Sequence, residues 1–130
     1  MDAFCRKWAA LHGFSAVALG AFAAHGLKDK VAAFPPEEAQ KILGWMETGS
    51  HYQLAHAVAL LALPAVLPHL SLRPAKHAAW GWAFGALVFS GTLYAMALGA
   101  PRWLGAITPL GGLGLLAGWL ALGLASRHQA

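Results

Sequence analysis

HAAWGWAFGALVFSGTLYAMALGAP, residues 77–101, decides the fold: it holds no Lys, Arg, Asp or Glu and is bracketed by Lys76 and Arg102. At about 1.5 Å per residue, such a run wound as a helix crosses a hydrocarbon core of about 30 Å while closing its own backbone hydrogen bonds. Three more charge-free runs, at 8–27, 48–72 and 103–126, leave little else in the chain. The expected architecture is an all-α, integral membrane four-helix bundle. It forms a single transmembrane domain over 1–130, with helices near 8–27, 48–70, 77–100 and 103–126.

Composition agrees. The 130 residues are 58% hydrophobic and only 11% charged, with a mean hydropathy of +0.55. A soluble domain carries about a quarter charged residues to dress its surface. The net charge of +4 is spread in singles and pairs between apolar runs. That is the pattern of anchors beside anionic headgroups, not the concentrated patch that nucleic acid requires. Membrane lipids are the expected partners, and nucleic acid is excluded. Cys5, the single cysteine, sits in no zinc spacing and reads as a small apolar residue near the interface.

The connections set the topology. Arg73-Pro74-Ala75-Lys76 and Pro101-Arg102 read as turns so short that they force antiparallel neighbours. Segment 28–47 is the one sizeable loop. Within it Pro35-Pro36-Glu37-Glu38 reads as a helix start, and Ala39, Ile42, Leu43 and Met46 recur at helical spacing. Segment 35–47 is therefore expected as a short interfacial amphipathic helix anchored by Trp45, or as a polar extension of helix two. Pro64 and Pro68 predict a kink or early end of helix two, and Pro109 does the same near the start of helix four. Arg6-Lys7, the apolar run and Ala21-Phe22-Ala23 also have the layout of a cleavable signal peptide. The run is long for one, and the first helix is expected to be retained. Arg6, Lys7, Arg73, Lys76 and Arg127 on one side face Lys28, Lys30, Lys41 and Arg102 on the other. The bias puts both termini of a multi-pass plasma (inner) membrane protein in the cytoplasm.

Polar groups inside apolar spans are costly and usually face the bundle. Counting depth along the runs brings His25, Tyr52, Gln53, His56, Ser90, Tyr94 and Thr108 into the extracytoplasmic half, with His12 left near the other side. Tyr52 and His56, Gln53 and His56, and Ser90 and Tyr94 share helix faces. His56 is expected among Gln53, Tyr94 and Thr108, neutral and hydrogen-bonded through both ring nitrogens. This cluster reads as packing glue or as a ligand, proton or ion site. No nucleophile motif, phosphate loop, paired carboxylates or His-Glu-x-x-His element occurs. No catalytic residue, metal site or cofactor is therefore assigned.

Small-residue pairs let helix backbones approach closely. Gly81 with Gly85, Gly114 with Gly118, and Gly20 with Ala24 are such pairs, packing helices within one chain or between chains. Two GxxxG faces exceed what one bundle needs, so a glycine face is expected to be left for a homo-oligomer.

The run Gly20-Ala21-Phe22-Ala23-Ala24-His25-Gly26-Leu27, the set Trp45, Thr48, Tyr52, Gln53, His56 and Ala57, and Phe89-Ser90-Gly91-Thr92-Leu93-Tyr94 have a counterpart. With Thr108-Pro109-Leu110-Gly111-Gly112 and Gly118-Trp119, they resemble the YgdD-like family of small four-helix bacterial inner-membrane proteins, which has animal relatives. The family pattern has Gly at the position of Ala23 and Ser at that of Thr92. The resemblance implies the fold and a membrane location, and no activity, the family being of unknown function. The reading is an integral membrane protein of unknown molecular function, a structural or accessory component that is not expected to be an enzyme. The alternatives are a small oligomeric transporter or channel, and a histidine-based metal-binding protein.

Overall fold

The computed structural model describes residues 1–125. Its first long helix, α1 (Asp2–Phe22), runs through a π-helical turn (Ala23–Leu27) into the short α2 (Lys28–Val31). Then come α3 (Pro36–Val66), a 3-10 turn (Leu67–His69), α4 (Leu72–Ala97), a second 3-10 segment (Arg102–Ala106) and α5 (Thr108–Gly123). Four of these helices are long. The helical stretches Asp2–Val31, Pro36–His69 and Arg102–Gly123 are long and apolar enough to cross a membrane.

The fourth, α4, carries Gly81, Gly85, Ser90, Gly91, Thr92 and Tyr94 among its apolar residues. It is the central helix: Ala75, Ala78, Ala79, Trp82, Ala83, Gly85, Ala86 and Ser90 are all buried in it.

Several expected boundaries move. Arg6 and Lys7 lie inside α1, which begins at Asp2. Of the two forms expected for segment 35–47, the structure shows the extension of helix two and not a separate helix: Pro36 opens α3 at its first turn, and the helix runs unbroken past 47. Nothing between Glu37 and Leu63 breaks a helix, and Pro36 is tolerated where its missing N–H is not needed. The 73–76 turn is likewise corrected, because Pro74 falls in the first turn of α4 and the reversal lies at Leu70 and Ser71. Pro64 is accommodated, and α3 ends two residues later. The second reversal uses Gly99 at φ +102°, a conformation glycine adopts without penalty. Helix four starts as α5 at Thr108, and its expected last residue, Ser126, lies with Arg127 outside the described residues.

Two apolar clusters mark the ends. Cys5, Leu60, Leu63, Ala78, Trp82 and Leu115 form one, with Met1, Phe4 and Leu122 against it. Leu27, Val31, Ile42, Met46, Tyr94 and Ala97 form the other. The Ser71 N–H donates to Ala125 O at 2.6 Å, which ties the end of α5 to the connection before α4.

The glycine faces meet each other. A Cβ placed on Gly81 would stand 2.8 Å from Gly114 O and 3.0 Å from Gly118 Cα. On Gly85 it would stand 2.8 Å from Leu115 N and 2.9 Å from Gly111 O. The two GxxxG faces thus pack against each other at the α4–α5 seam within one chain. Gly20 packs loosely on Ser50, where a Cβ would be 3.6 Å away, and Ala24 is exposed.

Candidate functional site

The buried polar groups form a chain that links three helices. Tyr94 on α4 donates its hydroxyl to Gln53 Oε1 on α3 at 2.7 Å. Gln53 Nε2 and His12 Nδ1 on α1 are 3.0 Å apart, and His12 Nε2 lies 2.9 Å from Ala83 O on α4. The directions follow from the donor inventory. A carbonyl only accepts, so His12 carries its proton on Nε2. His12 Nδ1 must then accept, which fixes the Gln53 amide with nitrogen toward His12 and oxygen toward Tyr94. Every member is buried: His12 at 0%, Gln53 at 4% and Tyr94 at 7% exposure. Beside this chain Ser90 Oγ donates to Gly49 O at 2.7 Å. Gly49 has to be glycine there, because a Cβ would meet the Tyr94 ring at 2.8 Å.

His56 does not join this chain. Its Nδ1 lies 2.6 Å from Tyr52 O, and its Nε2 accepts the Trp119 indole N–H at 2.9 Å. Both ring nitrogens are engaged and the ring is the neutral Nδ1–H tautomer, but the partners are Tyr52 and Trp119, not Gln53, Tyr94 and Thr108. Thr108 Oγ1 pairs with Thr92 Oγ1 at 2.7 Å. The Tyr52 side chain is half exposed and its ring touches Phe89. His25 is exposed on the π-helical turn, away from all three groups. Among the described residues no three histidine, cysteine or carboxylate side chains converge as metal ligands would.

His12, Thr92 and Trp119 are the members that sequence reasoning left out of the cluster. His12 had a signal: with Cys5, Ala9 and Ala16 it lies on one buried stripe of α1, a polar residue in a row of small ones. Depth counted from Trp8 put it near a membrane surface. Counted from Asp2 it is ten residues, or about 15 Å, into the helix.

Three of the surface clefts carry polar groups in their walls. One of about 440 Å³ is lined by Tyr52, His56, Phe89, Leu116 and Trp119. One of about 400 Å³ lies between Val31, Ile42, Met96, Lys30 and Arg102, where Arg102 pairs with Glu38 and sits over the Trp45 ring. One of about 360 Å³ is lined by Gly20, Ala23, Ala24, Lys28, Glu47 and Ser50. His12, Gln53, Ser90 and Tyr94 line none of the three.

The His56–Trp119 bond is peripheral to the central chain. Trp119→Phe should therefore cost only about 0.6 kcal/mol, the membrane average for one such bond, in reversible unfolding from detergent micelles. A loss several times larger would show that the bond holds α5 in place.

The family model described as "Protein of unknown function (DUF423)" matches residues 19–112. A UPF0382 membrane protein of Haemophilus influenzae is 43% identical over 90% of this chain and 88% of its own length. One of Staphylococcus epidermidis is 39% identical over 93% of each chain. The UPF0382 inner membrane protein YgdD of Escherichia coli K12 is 38% identical over 89% of this chain and 83% of its own. No solved structure matches. The aligned span takes in the π-helical turn, Gln53, His56, Ser90, Tyr94 and Thr108, and the chain belongs to the DUF423 family of membrane proteins of unknown function.

Proposed function

We propose that the protein is a structural or accessory component of the plasma (inner) membrane, in which buried polar groups serve cohesion and not passage. The observation that carries this reading is the closure of the Tyr94–Gln53–His12–Ala83 chain. Each side-chain nitrogen and oxygen of the chain has a partner on another helix. A transporter or channel needs polar groups that face a water-filled path. Here His12, Gln53, Ser90 and Tyr94 line no cleft described above; His56 lines one, but both its ring nitrogens are taken by Tyr52 and Trp119.

The full architecture belongs to the same proposal. α4, 26 residues long, is the third of four spans, and neighbouring spans run antiparallel with both termini in the cytoplasm. The first turns of α3 ride at the headgroup level as an amphipathic segment, with Trp45 and the Glu38–Arg102 pair beside them. Tyr94 and its partners sit toward the extracytoplasmic half. A second copy would dock away from the glycine seam.

The test joins transport to topology. Proteoliposomes holding the protein should leak protons and potassium no faster than empty ones, and a C-terminal alkaline phosphatase fusion should be inactive. Saturable flux that is lost in Gln53→Leu would overturn the cohesion reading, and an active fusion would overturn the orientation.

A further inference from the structure

On the π-helical turn Leu27 packs into the second apolar cluster, while Ala23 and Ala24, with Gly20, line a surface cleft. These three small residues form one wall of the 360 Å³ cleft, whose other wall is α3 at Leu43, Glu47 and Ser50. Lys28 and Glu47 both line this cleft. Among the described residues neither takes part in an ion pair, the pair there joining Arg102 to Glu38. Two opposite charges thus share one cleft without neutralising each other. Ser50 Oγ donates to the backbone oxygen of Glu47 at 3.1 Å, so its own lone pairs remain to accept. The level of the cleft is fixed by sequence: Lys28 directly follows the charge-free run 8–27, and Glu47 directly precedes the run 48–72. That is the plane of the lipid headgroups.

We propose that this cleft is a binding site for the headgroup of a zwitterionic phospholipid bearing a primary amine, a phosphatidylethanolamine. Its phosphate lies toward Lys28 and its ammonium toward Glu47 and Ser50. A headgroup of this kind brings one positive and one negative charge a few ångströms apart, matching the separated Lys28 and Glu47. Its three N–H donors suit a carboxylate and a hydroxyl acceptor. A trimethylammonium group has no N–H to offer, and an anionic headgroup leaves Glu47 facing like charge. Gly20, Ala23 and Ala24 supply the room, since larger side chains would fill the cleft. The inference rests on the membrane location, which the relatives' names support independently, so its failure would leave the cohesion reading standing.

The experiment is native mass spectrometry of the full chain in detergent with equimolar dioleoyl phosphatidylethanolamine, phosphatidylcholine and phosphatidylglycerol. The ethanolamine lipid should be retained over the choline lipid about fivefold, the upper range for one exposed ion pair. Glu47→Gln should abolish that preference, and Lys28→Gln should lower retention of both. Ala24→Phe should fill the cleft and lower ethanolamine-lipid retention while the unfolding midpoint stays that of wild type. Equal retention of the three lipids by wild type, preference for the anionic lipid, or variants that all behave as wild type would overturn the proposal. So would displacement of the lipid by millimolar free phosphoethanolamine, which would assign the cleft to a soluble ligand.

Discussion

Gly111→Ala is expected to destabilise the protein by about 3 kcal/mol or more, at the severe end of overpacking. A Cβ built at Gly111 falls 2.3 Å from Phe89 N, 2.7 Å from Phe89 Cα and 2.8 Å from Gly85 O. All three are backbone atoms of α4. A side chain in the way can rotate aside, but a helix backbone has to move as a body. Seating the methyl group therefore means prising α5 from α4 along the seam that also holds Gly81, Gly85 and Gly118. Two neighbours calibrate the effect. At Gly114 the nearest atom is Gly85 Cα at 3.2 Å, so alanine should cost about 1 kcal/mol. At Gly112 a Cβ meets only the Phe89 ring at 3.7 Å. Alanine there should be neutral, or stabilising by up to about 1 kcal/mol through helix propensity. Reversible unfolding in micelles should order the variants Gly111, Gly114, Gly112 from most to least damaged. A Gly111→Ala midpoint equal to wild type would mean that α4 and α5 do not approach this closely.

The seam also shows what the sequence could and could not tell. GxxxG spacing at 81 and 85 and at 114 and 118 was legible, because it depends on one helix at a time. That these two faces choose each other is a property of the assembled bundle, and without it a spare face for a second copy looked reasonable. Helix count followed from the four apolar runs, since only helices close their backbone bonds in lipid. Helix ends did not, because charges mark where the chain leaves hydrocarbon and not where it stops being helical. α1 therefore starts six residues before the run that announced it, and α3 starts at Pro36.

The polar cluster was half legible for a related reason. Gln53 and His56 are three residues apart, so at 3.6 residues per turn they point about 60° from each other. On an isolated helix that is one face. In a bundle it is enough to send Gln53 between α1 and α4 and His56 toward α5. The residues expected in one cluster are divided: Gln53 and Tyr94 lie in the central chain, Ser90 bonds to Gly49 beside it, Tyr52 and His56 lie toward α5, Thr108 pairs with Thr92, and His25 joins none of these.

Gln53 is the member whose loss should matter most among the polar residues. Gln53→Leu removes two bonds at once and strands two buried groups: the Tyr94 hydroxyl without an acceptor and His12 Nδ1 without a donor. Two average membrane bonds would give about 1.2 kcal/mol, whereas each stranded buried group costs about 1 to 3 kcal/mol. Because both groups are sealed from water and line none of the clefts described above, the second figure governs, and a loss of about 2 to 4 kcal/mol is expected. Tyr94→Phe leaves the Gln53 oxygen unpaired but keeps the bond to His12, so its cost should be about 1 kcal/mol. The decisive measurement is the double-mutant cycle. In the Gln53→Leu background the Tyr94 hydroxyl is already stranded, so removing it should be neutral or should restore stability. The coupling should then be of the order of 1 kcal/mol or more. Additive losses would show that Tyr94 and Gln53 act independently, and the hydrogen-bonded chain would not be what holds α1, α3 and α4 together.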